Sequence, residues 1–369
     1  MHMENEKSGI RRYLILFAFF TMLGGALLLN LFLPGPEILK AERRKPAGLP
    51  KFSVNSVADG SFMNGFEAYA ADHFVFREEM RSIRSFMILD LFLMKDKSGI
   101  YRDRSVGIGE IKKTDLNALT RSAGKINSAA EILRAQGLNV YYSIIPDKSI
   151  FAERYLPGFD PDRAEQTLSA VLGEGYISLT DTLNAESFYK TDLHWNQTEI
   201  KDTAALICSR MGTVFDVSGF TEENAGEFRG VYPGQLALPY PADNMSFLDL
   251  REAKAYYLNE KTLQYEPGPV YEPEKIYGID PYDVFLRGPQ PLIILENPAA
   301  PERELYLFRD SFASSLAPLL ASGYSKITIV DLRYISWDML NELTDFTPGA
   351  DALFIYSPQI LANPGVLLI

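Results

Sequence analysis

The sequence predicts an α/β protein, a mostly parallel sheet with helices on both faces, carried behind one apolar N-terminal helix. Three observations predict it. From about residue 120 onward, helical and strand-like periods alternate. The stretch from Tyr13 to Pro36 carries no charge. The 369 residues are 47% hydrophobic and 23% charged, which supplies a large core and excludes a disordered chain.

Leu14 to Leu33 is apolar except for Thr21, Asn30 and the glycines, and about 20 such residues cross a bilayer core. A cleaved signal peptide has a shorter apolar part of about 7–15 residues and a small-residue cleavage site. Neither fits, so residues 13–36 read as an uncleaved transmembrane anchor. Lys7, Arg11 and Arg12 precede it while Lys40, Arg43, Arg44 and Lys45 follow it, so the positive-inside rule does not orient it. Residues 37–60, with Pro46, Pro50, Gly48 and Gly60, read as a linker.

A helical N-terminal region follows over residues 61–110. Phe62, Phe66, Tyr69, His73, Phe74 and Phe76 recur near helical spacing, and Met80, Ile83, Met87 and Leu91 continue the pattern. His73 reads there as a packing or capping histidine. The α/β domain takes residues 111–369. Its expected helices are 124–136, 164–172, 197–211 and 312–322, and its expected strands 139–145, 176–179, 304–308, 326–330 and 352–356. Residues 215–300 are rich in Pro, Gly and Tyr with weak periodicity and read as an inserted β-rich segment.

Lys plus Arg number 36 against 48 Asp plus Glu, a formal charge of −12 that argues against nucleic acid as the partner. Cys208 is the lone cysteine, so no intramolecular disulfide and no cysteine-based zinc site can form. It lies on the apolar side of its helix and reads as a buried, inert thiol. Histidines are scarce too, with His2, His73 and His194 the full set.

Asp192 and His194 stand two residues apart before a helix. In an extended loop that spacing puts both side chains on one side. The carboxylate can then accept one ring N–H, set the tautomer and leave the other nitrogen as a base. Ser311, in Leu307-Phe308-Arg309-Asp310-Ser311-Phe312-Ala313, follows an apolar strand and opens a helix whose free N–H groups can stabilise an oxyanion. Plainer readings exist: a helix cap for Asp310-Ser311, a surface loop or half a metal site for Asp192-x-His194. Zinc would ask for three or four ligands, and no second histidine lies near His194. No metal and no cofactor is expected.

Lys148, Asp310, Ser311, Arg333 and Gln359 each follow an expected strand and can face one cleft beyond the C-terminal edge of the sheet. Lys148 reads as a substrate-site or acetate-site cation, or as a solvated loop lysine. Arg333 reaches the cleft or pairs with Asp331 or Asp338. Tyr232 and Trp195 read as rings for stacking on a sugar, with burial beside the loop as the alternative for Trp195.

These residues carry a resemblance over roughly residues 60 to 369. Phe66 to Arg77, Ile145-Pro146-Asp147-Lys148 with Tyr155-Leu156-Pro157, Thr191-Asp192-Leu193-His194-Trp195, Phe228 to Tyr232, and Asp310-Ser311-Phe312 followed by Asp331-Leu332-Arg333-Tyr334 resemble, in order and spacing, the DHHW protein family. That family is related to the alginate O-acetylation proteins of the SGNH-hydrolase superfamily. The resemblance implies an SGNH-hydrolase-like (flavodoxin-like) sheet outside the cytoplasmic membrane, behind a short cytoplasmic tail at 1–12. It implies a Ser-His-Asp triad of Ser311 as nucleophile, His194 as base and Asp192 as orienter. The activity implied is that of an O-acetyltransferase or acetylesterase on a cell-surface polysaccharide, with a multispanning membrane O-acyltransferase as acetyl donor. Two departures stand out. Leu193 replaces the first histidine of the name-giving motif, and Arg309 stands where many members of the superfamily have glycine. No separate Asn block is evident, and Gly230 and Asn297 are the candidates for it. Lys148, Arg309, Asp310, Gly230, Tyr232 and Arg333 form the substrate or oxyanion set. A non-catalytic glycan-binding or assembly scaffold with a decayed site is the alternative.

Overall fold

The computed structural model describes residues 2–33, 35–153 and 158–369. Tyr155-Leu156-Pro157 of the resemblance lie outside the described residues. The chain divides into two compact units, Met1–Leu93 with Gly234–Leu238, and Met94–Pro233 with Pro239–Ile369.

The first unit is helical. α1 (His2–Phe32) contains a stretch, Arg12–Asn30, long and apolar enough to cross a membrane or to serve as a signal sequence. α2 (Val54–Ala58), α3 (Ser61–His73) and α4 (Arg77–Phe86) follow. Arg44 grips Asp72 with two 2.6 Å hydrogen bonds. That pairing holds the Asp72 carboxyl down at about 2. His73 donates Nδ1–H to the Tyr69 carbonyl and stacks on the Tyr69 ring, a packing role at the helix end.

In the second unit β1 (Asp96–Lys97), β2 (Ile100–Asp103) and β3 (Gly107–Glu110) make a small antiparallel sheet. Then come α5 (Leu116–Ala135), β4 (Asn139–Ile144), α6 (Pro161–Leu172), α7 (Lys201–Arg210), β5 (Thr221–Phe228), α8 (Val231–Leu236, of which the residues from Gly234 on belong to the first unit), β6 (Asp243–Asp249), β7 (Lys254–Asn259) and β8 (Gln264–Gly268). β9 (Leu292–Glu296), β10 (Glu304–Arg309), α9 (Ala313–Leu320), β11 (Lys326–Val330), α10 (Trp337–Leu343), β12 (Asp351–Tyr356) and α11 (Pro358–Leu361) complete it.

The main sheet has the order β4-β12-β10-β11-β9-β7-β8. β4, β12, β10 and β11 run parallel. β9, β7 and β8 extend the sheet antiparallel. The expectation of a mostly parallel sheet is therefore corrected to a mixed one. The reason is connection length: parallel neighbours need a crossover of about a dozen residues or more, and β7 reaches β8 through residues 260–263 alone. Residues 215–300 hold β5 through β9, of which β5 and β6 pair with each other while the other three join the main sheet. The strand expected at 176–179 is a single bridge from Tyr176 to Tyr142, because a 3₁₀ turn starts at Thr180.

Helices cover both faces. Alternate residues of β10 separate the two cores. Leu305 and Leu307 pack with Ala204, Ile207 and Cys208 of α7 and with Leu316 and Leu320 of α9. Tyr306 and Phe308 pack with Ile126 and Leu133 of α5, Leu168 of α6 and Leu340 of α10. Cys208 is fully buried, and burial pushes its thiol up to about 12, which leaves it unreactive.

Candidate active site

The site is built at the C-terminal ends of β4, β10, β11 and β12. β10 ends at Arg309, and Asp310-Ser311-Phe312 turn the chain into α9. Asp310 makes that turn: Oδ1 accepts the Phe312 N–H at 3.1 Å and Oδ2 the Ser357 N–H after β12 at 2.7 Å. Ser311 is thereby held at the helix N-terminus, and its backbone N–H makes no hydrogen bond among the described residues.

The second strand of the site is a loop. Phe188 and Trp195 bridge antiparallel, and Tyr189 N–H reaches the His194 carbonyl at 3.1 Å, so residues 189–194 form a narrow hairpin-like turn. Within it Asp192 Oδ1 accepts the His194 backbone N–H at 3.1 Å and Nδ1–H at 2.7 Å. Because a carboxylate only accepts, the proton rests on Nδ1 and Nε2 is left as an acceptor. Ser311 Oγ lies 2.8 Å from that Nε2. The three side chains, 119 positions apart at the extremes, form one hydrogen-bonded chain in which Asp192 is fully buried and His194 is 5% exposed.

Ring contacts position the imidazole. Tyr282 stacks on His194 at 3.8 Å between centroids and 9° between planes, and Phe312 closes its other side at 4.7 Å. The Tyr282 hydroxyl donates to Ser315 Oγ at 2.8 Å, and Trp195 Nε1 donates to Ser315 Oγ and to the Phe312 carbonyl. Trp195 is fully buried, so it locks the loop onto α9 and does not present its face to a sugar.

The remaining expected residues are engaged within the fold, Arg333 with the partner that the sequence offered as its alternative. Lys148 is only 3% exposed, which corrects both the solvated-lysine and the substrate-cation readings. Its ammonium donates to the carbonyls of Tyr189 and Asp192, each at 2.8 Å, and burial lowers it to about 8. Arg333 is committed to Asp331 through two bonds of 2.8 and 2.6 Å, so it is no cleft residue. Arg309 is buried with Nη1 3.6 Å from Asp331 and 3.3 Å from the Asp310 carbonyl, while its Nε and Nη2 have no hydrogen-bond partner among the described residues.

Gly230 is also corrected as an oxyanion donor, since its N–H is used by Thr191 Oγ1 at 2.8 Å. Its role is close approach: a Cβ there would lie 2.2 Å from the Thr191 carbonyl oxygen. Tyr232 is 3% exposed, faces the Lys148 ammonium and donates its backbone N–H to Thr191, so it offers no stacking surface. Asn297 caps α9 by donating to the Ala321 carbonyl. Gln359 lines a recess with Lys112, Thr114 and Phe159. Leu193, at the position of the replaced histidine, is half-buried and packs against the hydrophobic core.

Sequence reasoning missed three supports. Asp243 accepts from the Lys190 and Thr191 N–H groups and from Thr191 Oγ1 at 2.9, 2.8 and 2.5 Å. Val231 N–H donates to Asp192 Oδ2 at 2.9 Å. Tyr282 supplies the stacked ring. Each is far along the chain from the loop it serves; Asp243 and Tyr282 carry no local motif, and Val231, though inside the Phe228 to Tyr232 motif, acts through a backbone N–H that no side chain signals.

No family model matches the chain, and no curated protein matches it. Solved structures do. A DHHW family protein from Eubacterium siraeum superposes with a TM-score of 0.58 at 17% identity, over 73% of this chain and 94% of that one. Bacillus cereus PatB1 superposes with a TM-score of 0.56 at 17% identity, over 71% and 96%. PatB1 carrying a sulfonyl adduct gives 0.56 at 16% identity. The chain therefore has the fold of the solved DHHW family protein and of PatB1.

Proposed function

We propose that the protein is a serine acyl-transfer enzyme, an O-acetyltransferase or acetylesterase for a cell-surface polysaccharide, anchored by α1 with the α/β unit outside the cytoplasmic membrane. The observation that carries it is the chain Ser311 Oγ, His194 Nε2 and Nδ1, Asp192 Oδ1, with links of 2.8 and 2.7 Å. A scaffold gains nothing from holding a hydroxyl and an imidazole in that register. The polysaccharide and the outward orientation rest on the motif resemblance.

In the reaction His194 Nε2 takes the Ser311 Oγ proton as Oγ attacks the acetyl carbonyl. The oxyanion forms at the N-terminus of α9, where the Ser311 N–H is unengaged. As the intermediate collapses, the departing alcohol takes the proton from His194 and the acetyl group stays on Ser311. A sugar hydroxyl or water then gives its proton to His194 and attacks the acetyl-enzyme, and His194 passes that proton to Ser311 Oγ as the ester bond breaks and the serine is restored. Asp192 holds the imidazole and balances its transient positive charge.

Intact-mass spectrometry of the full chain in detergent tests this. A fluorophosphonate or a sulfonyl fluoride, and separately an activated acetyl ester, are expected to add one group to the wild type and none to Ser311→Ala or His194→Ala. Absence of any adduct on the wild type would favour the non-catalytic scaffold. An acetyl adduct discharged by oligosaccharide faster than by water would identify a transferase, the donor then being a multispanning membrane O-acyltransferase.

A further inference from the structure

α4 is inside out. A helix at the surface of a folded unit buries its apolar stripe and exposes its charges. Here the stripe facing inward is Arg77, Arg81 and Ser85. Arg77 Nη2 meets Glu42 at 2.5 Å and Asp72 at 3.3 Å, and Arg81 meets Glu42 at 3.1 Å. Arg81 also donates to the Gly234 and Gln235 carbonyls at 2.9 Å, and buried Ser85 bonds the Leu236 carbonyl. The opposite stripe, Phe76, Met80, Ile83 and Met87, is 40–54% exposed, and Leu91, Phe92 and Leu93 continue it at 59–79%. So much exposed apolar surface in one row marks a docking face.

The same unit indicates what covers it. Asn30 ends the apolar stretch of α1, and its Oδ1 accepts the Val75 N–H at 2.8 Å. The join between α3 and α4 is thus fastened to the end of the candidate span, and the exposed stripe begins at the next residue, Phe76. A span of 19 residues covers about 28 Å at about 1.5 Å per residue, roughly one bilayer core, which sets its end at the lipid interface. Arg84, exposed at the flank of the stripe, can meet lipid phosphate.

We infer that α4 and the residues to Leu93 lie on the bilayer surface, with Met80, Ile83 and Met87 in the boundary between headgroups and acyl chains. The inference rests on reading α1 as a membrane span. It makes the helical unit a rigid foot, attached to the membrane both by a span and by a face.

Depth measurement by nitroxide labelling tests it, because Cys208 is buried and leaves introduced cysteines as the labelled sites. Ile83→Cys, Met80→Cys, Phe20→Cys and Lys261→Cys in the full chain are labelled and reconstituted in vesicles of phosphatidylcholine with a minority of phosphatidylglycerol. Labels at positions 80 and 83 are expected to collide several-fold more with oxygen than with a water-soluble nickel complex, as the position 20 label does, while position 261 shows the reverse. If positions 80 and 83 behave like 261 while 20 is in lipid, the interfacial face is overturned and the span stands. An aqueous label at 20 overturns the span and this inference with it. Labels at 80 and 83 shielded from both reagents, with or without spin–spin broadening, put protein over the face, a second copy or another chain, and also overturn it.

Discussion

The Lys148 ammonium lies 2.8 Å from the backbone oxygen of Asp192, whose carboxylate at the same time holds His194. The cation therefore restrains the loop through its backbone carbonyls and makes no claim on the carboxylate, which accepts from the imidazole, the His194 N–H and the Val231 N–H. Replacing it by Met removes two buried charge-assisted bonds and strands the Tyr189 and Asp192 carbonyls, so Lys148→Met is expected to slow Ser311 labelling at least tenfold.

The same lysine gives a pH signature. Burial holds it at about 8 in the folded chain against 10.5 when free. Between those values the unfolded chain binds more protons than the folded one, so the contribution of this group to stability rises with pH across the window. Urea midpoints measured from pH about 8 to about 9.5, below tyrosine ionisation, should climb more steeply in the wild type than in Lys148→Met. Parallel slopes would show that this lysine is not buried as described.

Asp192→Asn should keep the fold and lose the chemistry. Asp192 accepts two N–H groups of His194 on one oxygen and Val231 N–H on the other. An amide has one oxygen, so either the imidazole loses its acceptor or Val231 faces an NH₂ group. A loss of about 10³–10⁴-fold in acetyl-ester turnover is expected, with unchanged far-ultraviolet circular dichroism. Turnover within tenfold of wild type would remove Asp192 from the mechanism.

Gly230→Ala should act on stability and activity together. The added methyl meets the Thr191 carbonyl oxygen at 2.2 Å and Asp192 Cβ at 2.5 Å, both on a loop with little room to yield. A cost of about 1–3 kcal/mol is expected in urea unfolding, with slowed adduct formation.

Asp243→Ala deletes two acceptor oxygens whose three hydrogen bonds hold Lys190 and Thr191, without touching His194 or Ser311. Its signature is loss of rate through mobility: about 1–3 kcal/mol less stable and slower to label, with the pH dependence of labelling unchanged. A shifted pH profile would instead mean that Asp243 acts on the imidazole electrostatically.

The parallel half of the sheet was legible because its strands are buried on both faces and so read as largely apolar runs, such as Leu305 to Phe308 and Ala352 to Tyr356. β7 and β8 were not, since Lys254 to Asn259 and Gln264 to Gly268 mix tyrosine with polar residues and owe their place to an antiparallel edge. The amphipathic period of α4 was also legible, but not the direction it faces, because the charges on its other stripe find partners in Glu42, Asp72 and the segment 234–236.

The amino-acid order was enough to nominate Asp192, His194 and Ser311, through a two-residue spacing in an extended loop and a serine between an apolar strand and a helix, each with a plainer reading beside it; the fold brings the three side chains into one hydrogen-bonded chain. Which partners Lys148, Arg309, Gly230 and Tyr232 meet was decided by folding. A cation after a strand can meet substrate, water or a carbonyl, and the choice depends on which distant segment packs over it. For Lys148 that segment is the loop 189–192 and for Arg309 it is the end of β11 at Asp331, whereas Arg333 takes the same Asp331 from two residues away. Side-chain type limits what a group can do, while long-range burial, which no neighbouring residue encodes, selects the partner it satisfies.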